Sequence, residues 1–141
     1  GGLHSARIVI YSVDFHDIEC LQRAGDWPAA GALLADAARA VERAGADGLV
    51  LCTNTMHKVA PVIEAAVRIP LLHIADATAE EIKAAGIRTV GLLGTRFTME
   101  QQFYKDRLSR DHGIRVIVPG AGHTVHLEQP DLFQHLIAGF F

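Results

Sequence analysis

Short apolar runs alternate along the chain with longer stretches whose apolar residues recur at helical spacing. Five runs rich in β-branched residues predict strands at 6–13, 46–52, 69–74, 88–94 and 114–118. The stretches between them predict helices at 27–44, 56–67, 77–85 and 98–110. Near-continuous apolar strands separated by helices are typical of a parallel sheet with right-handed crossovers. The pattern therefore predicts an α/β fold in which helices cover a parallel sheet in three layers.

Composition narrows the class of protein. Of 141 residues, 50% are hydrophobic and 21% are charged, which excludes a disordered chain. The net charge is −3 without a basic stripe, so we expect no nucleic-acid partner. Because no apolar run approaches the roughly 18 residues that span a bilayer, we expect no membrane partner either. Two cysteines without a spacing motif favour free thiols and a cytoplasmic location.

Polar side chains follow three of the predicted strands, where α/β proteins bind ligands. They are Ser12 after the first strand, Cys52, Thr53, Asn54 and Thr55 after the second, and Thr95 and Thr98 after the fourth. The Gly94-Thr95 turn indicates an anion site on backbone N–H groups, suited to a carboxylate or phosphate. Its alternative interpretation is an ordinary turn in which Thr95 or Thr98 caps the next helix.

Cys52 is the residue with the most distinctive neighbours. Its functional interpretation is an acid/base or nucleophilic thiol whose ionisation the N-terminus of the following helix favours. The other interpretation is a small apolar residue at a strand end, since buried free cysteine is common. Three consecutive hydroxyl and amide residues after Cys52 favour the first. Cys20 lacks such neighbours and is interpreted as structural.

Four segments in register resemble the aspartate/glutamate racemase family. They read SVDF at 12–15, LCTNTMH at 51–57, LHIADAT at 72–78 and GLLGTRFTME at 91–100. The resemblance covers residues 1–113 and is nearest to the branch that acts on acidic amino acids without pyridoxal phosphate. It implies a Rossmann/flavodoxin-like racemase lobe, an acidic amino acid as small-molecule substrate, and no cofactor.

The resemblance also implies a two-base mechanism, in which one thiolate removes the α-proton and a second thiol protonates the opposite face. Cys52 would be the first of the pair. The other positions that the family places at the substrate are Thr53, Asn54 and Thr55 near the α-carboxylate, Thr95 and Thr98 in the second lobe, and Ser12 in an earlier loop.

Two family features are missing. The family strand and glycine-rich loop that precede Gly1 are absent, so we expect a lobe truncated at the amino terminus. The motif with the second catalytic cysteine is absent, and no cysteine follows Cys52. The resemblance thus implies a racemase-type protein in which interconversion of D and L acidic amino acids is impaired.

The segment 114–141 resembles the carboxyl terminus of an α/β-hydrolase. Its Gly120-Ala121-Gly122-His123 run follows a predicted strand, as does the loop that carries the base of a hydrolase triad, so His123 is a candidate base. No Gly-x-Ser-x-Gly elbow accompanies it, and a loop histidine without catalysis is the alternative. We predict no metal site, because His123 and His126 lack a third ligand cluster.

Three functions therefore stay open: a racemase-family enzyme using Cys52, a weak ester hydrolase using His123, and a non-catalytic fragment or fusion. His57 or His123 could replace the missing second base. Loss of an internal strand exposes backbone pairing groups and apolar surface, so we expect a homo-oligomer.

Overall fold

The computed structural model describes residues 2–118. Six α-helices and four strands lie in this part of the chain. The helices are α1 (Phe15–Ala24), α2 (Trp27–Arg43), α3 (Ala60–Glu64), α4 (Ile74–Ala84), α5 (Arg96–Glu100) and α6 (Gln102–Asp106). The strands are β1 (Leu49–Val50), β2 (Leu71–Leu72), β3 (Thr89–Gly91) and β4 (Arg115–Ile117). A 3-10 helix (Thr55–Val59) precedes α3, and a π-helical turn (Arg107–Asp111) follows α6.

The chain divides into two compact units. Among the described residues, the first contains 2–51 together with Lys58–His73, and the second contains Cys52–His57 and 74–118. Each unit holds a parallel pair of strands, β1 with β2 in the first and β3 with β4 in the second. The predicted α/β class with parallel strands and helices is confirmed.

Helix α2 forms the centre of the first unit. Asp26 caps its N-terminus by accepting a hydrogen bond from the N–H of Ala29 at 3.0 Å, and Pro28 suits the first turn. Its buried stripe consists of Ala30, Gly31, Leu34, Ala35, Ala38 and Val41. A Cβ on Gly31 would lie only 3.2 Å from Val62 Cγ1 of α3, so the glycine lets these two helices approach closely.

The second unit is built around a separate apolar cluster. Its buried members are Ala75, Ala79, Tyr104, Leu108 and Ile114, supplied by α4, α6, the π-helical turn and the residue before β4. Val90 and Val116 of the strand pair pack against this cluster. Small alanines on α4 bring that helix close to the aromatic and aliphatic side chains that face it. This packing fixes the helices that hold the polar residues discussed below.

The prediction of a strand at 6–13 is wrong for the described chain. These residues belong to neither helix nor strand, and Ile8 and Ile10 are 72% and 83% exposed. The apolar run has the composition of a buried strand, but a strand also needs a neighbour to satisfy its backbone groups. Within residues 2–118, the strand pairs are β1 with β2 and β3 with β4.

Helix boundaries differ from the prediction at three of the four predicted helices. The predicted helix at 56–67 is a 3-10 helix followed by α3, which ends at Glu64, and the predicted helix at 77–85 begins three residues earlier, at Ile74. The predicted helix at 98–110 is divided, because Gln101 adopts an extended conformation (φ −83°, ψ 156°) between α5 and α6. Helix α1 was not predicted at all. Its ends carry clear signals, since Asp14 accepts from the N–H of His16 at 2.9 Å and Gly25 takes the left-handed conformation. Among the described residues, no helix is long and apolar enough to cross a bilayer.

Candidate functional site

The loop that follows β1 carries the residues of greatest chemical interest. Cys52 and Asn54 are exposed, Thr53 is half-buried, and Thr55 is buried as it begins the 3-10 helix. The thiol is therefore accessible, which excludes the interpretation of Cys52 as a buried apolar residue. At the end of this loop, the Thr55 hydroxyl lies next to the hydroxyls of Thr95 and Thr98 in the same unit.

Three threonine hydroxyls form a triangle at the loop. Thr55 Oγ1 lies 2.9 Å from Thr95 Oγ1 and 3.5 Å from Thr98 Oγ1, while the last two are 3.1 Å apart. Thr55 and Thr98 are 6% and 2% exposed, whereas Thr95 is exposed. Each hydroxyl can donate one proton and accept two, so the triangle is satisfied internally. An anion next to Thr95 can accept a hydrogen bond from its hydroxyl, because the buried oxygens of Thr55 and Thr98 keep partners within the triangle.

The turn before α5 fixes this triangle. Thr95 is the N-cap of α5, and its Oγ1 accepts the N–H of Thr98 at 3.3 Å. A Cβ on Gly94 would lie 3.3 Å from Thr98 Cβ, so a larger residue would crowd the Thr98 side chain. The N-cap interpretation of this turn is thus confirmed in its geometry, and the cap itself holds the hydroxyls together.

His57 ties the loop to the start of α4. Its Nδ1 lies 2.6 Å from the Thr53 carbonyl oxygen, and the Ile74 N–H donates to its Nε2 at 3.3 Å. Because a carbonyl can only accept and an N–H can only donate, the ring is neutral with its proton on Nδ1. Burial lowers the pKa of His57 below its ordinary value of 6.5, and the positive charge of Arg107 acts in the same direction. The Thr53 hydrogen bond and the Asp76 carboxylate oppose this shift.

An ion network joins α4 to the π-helical turn. Arg107 binds both carboxylate oxygens of Asp76, at 2.8 Å from Nε and 2.6 Å from the terminal nitrogen. His112 Nε2 lies 2.8 Å from Asp76 Oδ1, and Lys83 Nζ lies 3.3 Å from His112 Nδ1. The bidentate Arg107–Asp76 pair orients α4. The first residue of α4, Ile74, is the one that His57 contacts.

Comparisons with known proteins identify the family. A sequence model of the Asp/Glu/Hydantoin racemase family matches residues 1–138. The chain belongs to this family. A crystal structure assigned as an Asp/Glu racemase of Yersinia pestis is 51% identical, with a TM-score of 0.87. An aspartate racemase homologue from Pyrococcus horikoshii is 35% identical, with a TM-score of 0.76.

The chain is shorter than these racemase relatives. It is covered over 99% of its length by each of them, but spans only 67% of the Yersinia chain and 60% of the Pyrococcus chain. The family match runs through residue 138 and so includes most of the segment that resembles a hydrolase. A division at residue 113, between 1–113 and 114–141, stays a prediction.

The racemase-family positions predicted at the substrate fall into three groups. Thr55, Thr95 and Thr98 converge as described, and Cys52, Thr53 and Asn54 belong to the loop that leads to them. Ser12 is exposed in the first unit, two residues before the N-cap of α1, and its role stays a prediction. His123 and His126 lie outside the described residues.

Sequence reasoning missed the structural role of His57, which it considered only as a replacement base. A histidine that is 2% exposed with both ring nitrogens hydrogen-bonded is not poised to exchange a proton with substrate. The available signal was its position four residues after Thr53, from which its ring can reach back to that carbonyl. Asp76 and Arg107 gave no comparable signal, because 31 residues separate them.

Proposed function

We propose that this chain is a racemase-type protein that binds an acidic amino acid and uses the Cys52 thiolate to exchange its α-proton without a cofactor. The observation that carries the proposal is the threonine triangle at the end of the loop bearing Cys52. Family membership and the names of the relatives support aspartate or glutamate as the substrate class.

The carboxylate of the substrate is assigned to the loop and the triangle. Thr95 is the accessible member, and Thr55 and Thr98 hold its hydroxyl in place. When a carboxylate binds, Thr95 turns its proton toward it, and a charge-assisted hydrogen bond replaces one within the triangle. Asn54 is exposed in the same loop and offers an amide donor, and Thr53 flanks the thiol.

The proton balance limits what one cysteine can accomplish. Cys52 thiolate takes the α-proton and leaves a carbanion delocalised into the carboxylate. Returning a proton from Cys52 to the same face restores the starting enantiomer, whereas inversion needs a donor on the opposite face. Cys20 and Cys52 are the two cysteines of this chain. We therefore propose that exchange with retention outruns racemisation.

Exchange in D₂O tests the proposal directly. The full 141-residue chain is incubated in D₂O with each enantiomer of aspartate and glutamate, with EDTA to remove divalent ions. Loss of the α-proton is followed by NMR, and inversion by chiral chromatography. We expect exchange of one enantiomer to exceed inversion, and Cys52→Ser to slow exchange by about 10²–10⁴-fold.

Cys20→Ser is the matched thiol control and should keep the exchange rate. Exchange that persists in Cys52→Ser shows that another group is the base. If neither enantiomer of aspartate or glutamate shows exchange that depends on Cys52, the proposal is wrong and the non-catalytic interpretation replaces it.

A further inference from the structure

Helix α1 carries three metal-ligating side chains on one face. His16, Glu19 and Cys20 have the spacing i, i+3 and i+4, which places side chains side by side on a helix. One ligand atom from each, an imidazole nitrogen, a carboxylate oxygen and the thiol sulfur, all lie within 4.8 Å of one another. His16 and Cys20 are exposed and Glu19 is half-buried, so an ion can reach them from solvent.

The closest pair already has the separation that a tetrahedral ion requires. With metal–nitrogen and metal–sulfur bonds of about 2.0–2.1 and 2.3 Å, tetrahedral zinc separates the two ligand atoms by about 3.5 Å. Cys20 Sγ and His16 Nε2 are 3.6 Å apart. Glu19 needs only a side-chain adjustment to supply the third ligand, because its backbone lies on the same helical turn.

We propose that the first two turns of α1 form a binding site for a divalent transition metal of the zinc class. The ligands are His16 Nε2, Cys20 Sγ as thiolate and one Glu19 carboxylate oxygen, with water in the fourth position. Imidazole, thiolate and carboxylate together favour zinc over magnesium or calcium, which prefer oxygen ligands alone. Binding releases the proton of the Cys20 thiol to solvent.

The helix is held in place before any ion binds. Asp14 caps its N-terminus, Gly25 ends it, and Ile18 is 3% exposed, which anchors α1 in the first unit. A prearranged backbone reduces the ordering that an ion must impose on its ligands. The site does not depend on the proposed function, because none of its ligands belongs to the Cys52 loop.

Two existing contacts compete with the ion. Arg23 contacts Glu19 Oε1 at 3.0 Å, but the arginine side chain is 77% exposed, and such surface pairs are weak. The His16–Cys20 contact is the other competitor, and an ion bound to both atoms replaces it. The His16–Cys20 contact holds two of the ligand atoms near each other, and both contacts give way to a cation.

A cobalt titration of the full chain tests the site. Co²⁺ bound to a thiolate absorbs in the near ultraviolet, so the band reports a cysteine ligand, and equilibrium dialysis counts the ions bound. We expect one Co²⁺ per chain, displaced by Zn²⁺. Cys20→Ser should remove the band, and His16→Ala or Glu19→Gln should weaken binding by at least roughly tenfold.

Matched variants separate this site from other ligands. Cys52→Ser should keep the absorption band if the thiolate ligand is Cys20. Asp17 is a neighbouring carboxylate on α1 outside the ligand set, so Asp17→Asn should leave the Co²⁺ affinity unchanged. Circular dichroism verifies that each variant retains its helices. A second readout needs no variant: Zn²⁺ should slow alkylation of Cys20, but not Cys52, in a peptide map. A band that follows Cys52, or equal alkylation with and without Zn²⁺, overturns the proposal.

Discussion

The two cysteines of this chain stand in regions built in different ways. Cys52 lies in an irregular loop whose geometry depends on a buried histidine and on hydroxyls from a distant part of the sequence. Cys20 lies on a regular helix, where the neighbours of the thiol follow from helical spacing alone. The first region therefore depends on tertiary packing, and the second depends on the caps of one helix. Substitutions should affect the two regions to different extents.

The largest difference in unfolding free energy is expected between alanine variants of two histidines, His57 and His16. His57→Ala leaves the Thr53 carbonyl and the Ile74 N–H without their partner in a buried place, which should lower the free energy of unfolding by about 2–4 kcal/mol. His16→Ala removes an exposed side chain and should change it by less than about 0.5 kcal/mol. Urea denaturation of both variants measures the difference.

A second variant of His57 tests whether the lost hydrogen bonds cause the lower free energy of unfolding. An asparagine amide can donate to the Thr53 carbonyl as His57 Nδ1 does, so His57→Asn should recover part of the loss. If His57→Ala and His16→Ala destabilise equally, the proposed distinction between the two regions is wrong.

The threonine triangle offers the next contrast. Thr55→Val keeps the shape of a buried side chain but removes the hydroxyl that Thr95 and Thr98 share, at a cost of about 1–3 kcal/mol in unfolding free energy. The rate of α-proton exchange should also fall, by roughly tenfold for each 1.4 kcal/mol of lost transition-state stabilisation. Thr78→Val is the control, since its hydroxyl bonds only locally to the Ile74 carbonyl at 2.8 Å. Equal exchange rates in both variants would remove the triangle from the substrate site.

Low pH should reduce the free energy of unfolding, because His57 is held neutral in the folded chain. Burial lowers the pKa of His57 in the folded chain below 6.5, so the unfolded chain binds this proton more readily. The resulting stability is present above about pH 6.5 and is lost as the pH falls through the lowered pKa, because a protonated Nε2 would face the Ile74 N–H. The charges near the ring are Arg107 and Asp76, which act in opposite directions.

The measurement is a difference between two pH profiles of stability. Wild type should lose more unfolding free energy than His57→Asn between pH 7.5 and pH 5, because the variant has no proton to take up at this position. Parallel profiles would show that His57 contributes nothing to the acid sensitivity.

Local patterns predicted most of the elements but not their partners. The strands β1 to β4 lie within predicted runs, and α2 was predicted to within one residue at its C-terminus. Residues 6–13 have the same apolar character, yet a strand exists only where another strand pairs with it. Sequence periodicity carries no information on that partner.

Helix α1 shows the opposite limitation. Ile18 is its one buried residue, and the helix is less hydrophobic on average than α2, so it escaped prediction despite its amphipathic pattern. Without the helix, His16, Glu19 and Cys20 had no common face, and the sequence did not predict the metal site that we propose. Its signal lay in the caps, since an aspartate at 14 and a glycine at 25 enclose ten residues of helix.

The smallest predicted effect tests the role of Asp14. Asp14 belongs to the SVDF segment that resembles the racemase family, and its side chain caps α1 by accepting the N–H of His16. Asp14→Ala should therefore lower the unfolding free energy by about 1 kcal/mol, while Asp14→Ser, which retains a capping oxygen, should stay near wild type. Both variants should keep the KM of α-proton exchange if capping is the only role. A KM raised equally in both would instead show that the carboxylate itself contacts substrate.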